Sequence, residues 1–271
     1  MDLKDKVVVI TGASSGIGKA CAIECAKRGA NVVLAARQYV VLCQITEEIY
    51  RKYNVKTLAV QTDVAQEDDC KELIKQSISA MGKVDILINN AGISMRALFK
   101  DLDIEVLKRI MDINFWGTVY CTKYAFQEIL NQSGSIVGVS SIAGYKGLPG
   151  RTGYSASKFA MNGFLEALRV ENLKNNIHVM VACPGFTASN IRNVALNSEA
   201  KPQGESSMEE EKMMTAEEVA LIIVNGIVKR KRDVIMTGQG KLTVFLQKLF
   251  PKWLDQLVYD HFKKEKDPLI S

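Results

Sequence analysis

The chain of 271 residues is 47% hydrophobic and 24% charged, which excludes a disordered or collagen-like polypeptide and supplies core material for one large domain. Its formal charge of +5 is unevenly placed: ten basic and five acidic residues fall in 229–271, so residues 1–228 are balanced. A neutral body with a basic tail argues against a nucleic-acid binder, whose basic stripe would cross the body. No apolar run approaches the length of a membrane span, and Met1–Lys6 lacks the apolar stretch of a signal peptide, so a cytoplasmic protein is expected. Six cysteines without a C-x-x-C pair read as reduced thiols, and two distant histidines, His178 and His261, argue against a metal site or a histidine triad.

Taken in chain order, strand-like runs at 7–10, 32–36, 57–61, 84–89, 135–140, 179–182 and 234–236 alternate with helix-period segments at 18–28, 41–53, 67–81, 104–130, 154–174 and 216–229. The runs are continuously apolar, so both faces of each strand should be covered. The pattern predicts an α/β fold of Rossmann type: a doubly wound, seven-stranded parallel sheet with helices on both faces. One domain over 1–240 is expected, with a substrate lid at about 186–214 whose Ala195–Met214 part is rich in glutamate and methionine, followed by an amphipathic basic extension over 241–271.

The first strand runs into Thr11-Gly12-Ala13-Ser14-Ser15-Gly16-Ile17-Gly18 and then into a helix. Gly12 permits a tight turn, Gly16 lets backbone N–H groups approach a pyrophosphate, and Gly18 lets the helix pack on the sheet, while the helix N-terminus favours negative charge. The second strand ends Leu34-Ala35-Ala36-Arg37. An acidic side chain there would bond an adenosine ribose, whereas a guanidinium pairs with a 2′-phosphate, so Arg37 favours NADP over NAD. Asp63, past the third strand, and Asn90-Ala91-Gly92, past the fourth, lie at the carboxyl edge where doubly wound sheets bind ligands.

Tyr154 and Lys158 stand at i and i+4 on one helical face, where an ammonium would favour the phenolate and lower the tyrosine pKa. Ser141 closes the fifth strand, again at the carboxyl edge, where its hydroxyl could orient a carbonyl oxygen. Singly, such features are equally a surface pair and a turn-forming serine.

Together these residues resemble the short-chain dehydrogenase/reductase family over nearly the whole chain: T-G-x-x-x-G-x-G, N-N-A-G, N-x-x-G, the S-S strand end, Y-x-x-x-K and P-G-x-T occur in family order. The resemblance implies a catalytic tetrad of Asn114, Ser141, Tyr154 and Lys158. Tyr154 would donate the proton, Ser141 hold the carbonyl oxygen, Lys158 bind the nicotinamide ribose and tune Tyr154, and Asn114 support a relay water. It implies cofactor contacts from Gly12, Ser14, Ser15, Gly16, Ile17 and Gly18, from Arg37, Asp63 and Val64, and from Asn90, Ala91 and Gly92. Tyr154, Lys158, Pro184, Gly185 and Thr187 complete that set, with Asp63 at the adenine and Thr187 at the nicotinamide. Family members that prefer NADP often carry a basic residue at the position of Ser15, which this chain lacks, so Arg37 alone carries the NADP expectation.

Met95, Leu98, Phe99, Leu148, Phe186 and Ile191, with Met208, Met213 and Met214 of the lid, suggest an apolar ketone or secondary alcohol as substrate. The resemblance of the tail to that of 3-ketosphinganine and hydroxysteroid reductases points to a long-chain 3-keto lipid or a steroid-like ketone. The alternatives are an NAD-dependent alcohol dehydrogenase acting on a smaller substrate and a non-catalytic dinucleotide sensor; a complete tetrad favours an enzyme. The tail over 241–264 is amphipathic and broken at Pro251, so it docks on its own domain, on a partner subunit or, through its lysines, on an anionic membrane surface. By resemblance the helices at 104–130 and 154–174 form the interface of a homodimer or homotetramer.

Overall fold

The computed structural model describes residues 3–185, 187, 195–203, 213–264 and 268–270. Seven strands, β1 (Val7–Thr11), β2 (Asn31–Ala36), β3 (Thr57–Gln61), β4 (Ile86–Asn89), β5 (Ser135–Val139), β6 (His178–Cys183) and β7 (Asp233–Ile235), form one sheet in the order β3-β2-β1-β4-β5-β6-β7. Every pairing is parallel, with Val9 opposite Val33 on one side and Leu87 on the other. The chain winds outward from β1 to β3, then returns to place β4 on the other side of β1. The carboxyl ends of β1 and β4 therefore border the crevice where such sheets bind ligands.

Alternation along the strands divides the core into two layers. Val8 and Ile10 face α1 (Gly16–Lys27), α2 (Tyr39–Tyr53) and α7 (Ala216–Val228), packing with Cys21, Leu42, Val219 and Ile223. Val7 and Val9 face α3 (Glu67–Met81), α5 (Gly117–Asn131) and α6 (Thr152–Glu171), packing with Leu73, Cys121, Ile129 and Leu165. The inner strands β1, β4, β5 and β6 are buried at every position, as their unbroken apolar runs require, while the edge strands β3 and β7 each expose an end. In mid-β5, a Cβ on Gly138 would come within 2.4 Å of Leu165 Cδ1, so glycine is what lets α6 approach this strand closely.

Several boundaries move for identifiable reasons. β4 begins at Ile86 rather than at residue 84, because the buried Asp85 carboxylate accepts from Lys6 (2.7 Å), Lys83 (3.0 Å) and the Val7 amide (2.9 Å), tying the start of β1 to the segment before β4. The single helix expected over 104–130 is α4 (Ile104–Met111), a π-helical turn at Asp112–Trp116 and α5, continuous in right-handed backbone. At the end of the wide turn, a Cβ on Gly117 would lie 2.8 Å from Val64 Cβ, so glycine admits the loop after β3. α6 begins at Thr152, placing Tyr154 in its first turn. The tail forms α8 (Gly238–Leu249) and α9 (Pro251–Lys263), with Pro251 at the first position of α9, where a missing N–H costs no intrahelical bond.

Candidate active site

A cleft of about 280 Å³ opens at the β1/β4 crevice, walled by Gly12, Ser14, Ser15, Gly16 and Ile17 of the first turn, by Arg37, Asp63 and Val64, and by Asn90, Ala91 and Gly92. Its shape depends on backbone meeting backbone. Gly12 has φ of +65°, and a Cβ there would lie 2.8 Å from Ala91 Cα. Gly18 is not on the wall but behind it, where a Cβ would fall 2.3 Å from the Gly12 carbonyl oxygen. Asn90 holds this turn: its Nδ2 donates to the carbonyls of Thr11 (2.9 Å) and Gly12 (3.2 Å), while Thr11 Oγ1 accepts from the Asn90 and Ala91 amides.

The cradle fits a dinucleotide on its own chemistry. Helix α1 has no acidic residue in its first turn, and Ser15 makes no side-chain cap, so the orphan N–H groups of that helix end are left for an anion beside Ser14, Ser15 and Gly16. Arg37 is exposed on the wall at the end of β2, with no hydrogen bond or ion pair to its guanidinium among the described residues. The Asp63 carboxylate, on the wall just past β3, accepts from the Ala65 amide at 3.1 Å.

A second cavity of about 130 Å³ shares Ile17, Asn90 and Gly92 with the first, and Ser141, Tyr154, Lys158, Pro184, Gly185 and Thr187 converge on it. Ser141 lies just past β5, with its Oγ accepting from Ala143 N at 3.2 Å, and it lines the same cavity as Tyr154. Burial raises the Tyr154 phenol above its ordinary value, opposed by the Ser141 hydroxyl and the charge of Arg151. Lys158 Nζ donates to the Val139 carbonyl at 2.9 Å and lies 5.8 Å from the centre of the Tyr154 ring, and burial pulls its pKa down to about 8. The expectation that Lys158 lowers the Tyr154 pKa is therefore corrected: burial dominates and the phenol is raised. The ammonium is drawn to a backbone carbonyl over the ring face, and Ser141 and Arg151 are the groups that favour the phenolate.

Asn114 is brought beside this group but lies on neither cavity wall. It is fully buried in the π turn, with Oδ1 accepting from Ile93 N (2.8 Å) and Nδ2 donating to Ile93 O (3.0 Å) and Ser157 Oγ (2.9 Å). Its amide ties the turn to the segment after β4, and a Cβ on Gly92 would lie 3.1 Å from Asn114 Oδ1. Thr187 is buried with its hydroxyl donating to Gly185 O at 3.1 Å, so in this state the hydroxyl braces its own turn.

Sequence reasoning missed Ser94 and Arg151, which line the smaller cavity and are joined by Arg151 Nη1 donating to Ser94 Oγ at 3.1 Å. Arg151 stands three residues before Tyr154, which was the available signal. Of the apolar residues expected to line the substrate site, Leu148 does so. Met95 instead packs in a buried cluster with Ala97, Val106, Ile110 and Leu196, and Phe99 is solvent-exposed. Met214 pairs with Thr187 in an isolated bridge and packs against the core layer of α7. Phe186, Ile191 and Met208 lie outside the described residues, as does most of the expected lid.

A glycine turn feeding an uncapped helix at a topological switch, joined to a serine, a tyrosine and a buried lysine, defines a dinucleotide-binding α/β oxidoreductase. Residues 6–200 match the family described as short chain dehydrogenase. The chain belongs to the short-chain dehydrogenase/reductase family, whose fold binds a nicotinamide dinucleotide. It is 34% identical over 267 residues to 11-beta-hydroxysteroid dehydrogenase A of Sesamum indicum, covering 95% of this chain and 76% of that one. It is 32% identical over 269 residues to dehydrogenase/reductase SDR family member 7B of Mus musculus, covering 97% and 83%. A short chain dehydrogenase/reductase from Burkholderia phymatum in complex with NAD superposes with a TM-score of 0.82 at 24% identity, covering 92% of this chain and 94% of that one. An alcohol dehydrogenase from Thermococcus sibiricus complexed with 5-hydroxy-NADP gives 0.73 at 24%, covering 84% and 93%. At that identity the two structures speak for the fold.

Proposed function

We propose that this chain interconverts an apolar ketone and its secondary alcohol with NADPH as hydride donor. The observation that carries the reading is the convergence of Ser141, Tyr154 and Lys158 on a cavity that shares a wall with the dinucleotide cleft. When bound, the nicotinamide supplies the hydride. Tyr154 and Ser141 line the same cavity, so a carbonyl oxygen seated between them can accept from both hydroxyls. The raised Tyr154 pKa keeps its phenol protonated at neutral pH, the form a proton donor needs. Lys158, whose ammonium lies 5.8 Å from the centre of the Tyr154 ring on the same cavity, would hold a ribose hydroxyl of the bound nucleotide. Asn114 acts as a positioning residue, fixing the segment after β4 through Ile93.

NADPH is favoured because the Arg37 guanidinium stands exposed at the end of β2, and Leu34-Ala35-Ala36 offers no carboxylate for a free ribose hydroxyl. Ile17, Val139 and Leu148 give the substrate cavity an apolar side. The likeness to proteins named 11-beta-hydroxysteroid dehydrogenase supports a steroid-like or long-chain ketone over a small sugar. The test is a ketone panel, including steroids and 3-keto lipids, with NADPH and with NADH. Oxidation of NADPH by an apolar ketone, lost about 10²- to 10⁴-fold in Tyr154→Phe while NADPH binding persists, is expected. Retained turnover in that variant would refute the proton-transfer role.

A further inference from the structure

The C-terminal helices are fixed to the catalytic body along one side. Thr237, which caps α8 through its hydroxyl, lies against Gly185, where an added Cβ would be 2.4 Å from Thr237 Cγ2. Gly240 packs on Ile142, with an added Cβ 2.6 Å from Ile142 Cδ1. Asp255 of α9 forms an ion pair with Lys146, and Leu269 packs at Gly150. Leu254 and Phe262 are buried on this side. Own-domain docking thus accounts for part of the amphipathic pattern and leaves the rest outside.

Leu242, Phe245, Leu249, Phe250, Trp253 and Leu257 remain between 41 and 58% exposed, in one stretch that crosses the junction of α8 and α9. Six large apolar side chains on consecutive helices are more than the scattered exposure of an ordinary surface. On α8, Lys241, Phe245 and Lys248 share a stripe at helical spacing beside Leu242 and Leu249, Lys252 follows at the start of α9, and α8 carries no acidic residue. Neither helix is long and apolar enough to cross a membrane. An apolar face bordered by lysines, with a tryptophan and with no capacity to span, is the arrangement of helices that lie in a lipid interface. The lysines that border this face complement anionic lipid headgroups.

We propose that α8 and the first turns of α9 dock this protein on an anionic lipid bilayer. The same extension reaches the neighbourhood of the site: Phe262, Leu269 and Ile270 line a small hollow with Arg151, which also lines the Tyr154 cavity. This goes beyond the reading of the activity and is tested without it.

The full chain is floated with vesicles of phosphatidylcholine alone or with about one third phosphatidylglycerol, at low and high salt. Binding about tenfold stronger to the anionic vesicles and weakened by salt is expected. Phe245→Glu/Trp253→Glu, which alters exposed side chains and should leave the thermal melt in place, should lose about tenfold or more. Lys241→Glu/Lys248→Glu/Lys252→Glu should abolish the preference for phosphatidylglycerol. No binding to the anionic vesicles, or equal binding by Phe245→Glu/Trp253→Glu, overturns the proposal. So does light scattering that finds a dimer lost in Phe245→Glu/Trp253→Glu with no vesicle binding, which would assign the face to a second copy.

Discussion

Replacing Lys158 by methionine should destroy the activity and stabilise the fold. Lys158 is 3% exposed and its ammonium donates to the Val139 carbonyl at 2.9 Å, with no carboxylate paired to it among the described residues. Burial lowers its pKa from 10.5 to about 8, a difference worth about 3 kcal/mol. The sign follows from linkage. Below pH 8 the lysine is charged in both states and the folded chain carries the whole desolvation cost; between pH 8 and 10.5 the unfolded chain holds more protons, so stability rises with pH. Methionine has similar length, removes the charge, and leaves the Val139 carbonyl without its donor at a cost of about 1 kcal/mol. The net gain at pH 7 is about 2 kcal/mol, or about 4–8 °C in Tm for a chain of this size.

Denaturant unfolding of both proteins without dinucleotide, from pH 7 to 9.5, measures the difference directly. Lys158→Met should be the more stable at pH 7, and its advantage should shrink steadily above pH 8. A variant less stable than the parent at pH 7, or an advantage that does not change with pH, would refute the assignment of a charged, unpaired lysine at this site. The stabilisation with loss of turnover is the expected trade where a fold holds a group for chemistry rather than for packing.

Arg37→Asp should weaken NADPH binding by about 10- to 100-fold and NADH binding little, by titration of each dinucleotide; equal losses would show that Arg37 does not read the 2′-phosphate. Gly18→Ala should lower Tm and dinucleotide affinity together, because its methyl group would stand 2.3 Å from the Gly12 carbonyl oxygen and open the turn; an unchanged melt would contradict that packing. His178 is held by Ser135 Oγ (3.1 Å) and by the Lys231 carbonyl (2.8 Å), and burial lowers its pKa below the ordinary 6.5. Its neutral form is the folded one, so stability should fall as pH drops below about 6.5, and His178→Gln should flatten that part of the pH-stability curve. A curve of unchanged slope would remove His178 as its cause.

The strands were readable because β1, β4, β5 and β6 are buried on both faces and so carry unbroken apolar runs. The π turn at Asp112–Trp116 was not, since hydrophobic period reports which face of a helix is buried and not whether one turn closes at i+5. That turn is the part of the site that moved most in meaning: Asn114 was legible as a site residue, but its engagement with Ile93 and Ser157 comes from a long-range contact. Met95 shows the converse error. It follows Asn90-Ala91-Gly92 closely in sequence, yet it turns away from the cleft into the layer with Val106 and Ile110, because position along the chain does not say which way a side chain points after a strand ends. Amphipathicity in the tail was equally plain, but only the docking of Leu254, Phe262 and Asp255 separates its covered side from its open one.

Tyr154 and Lys158 carry the deepest correction, and it bears on chemistry. Helical spacing alone suggests a coupled pair in which the ammonium acidifies the phenol. In the folded chain both groups are buried, so each moves toward its neutral form: the phenol rises and the ammonium falls. A site built this way rests with its phenol protonated and its lysine charged but easily neutralised near pH 8. The proton that ketone reduction needs is therefore already on Tyr154, and Ser141 and Arg151, the two groups that favour the phenolate, lie where they offset the cost of releasing it. Oxidation of the alcohol starts from the other protonation state, so its rate should climb with pH across the alkaline range while the reductive rate does not.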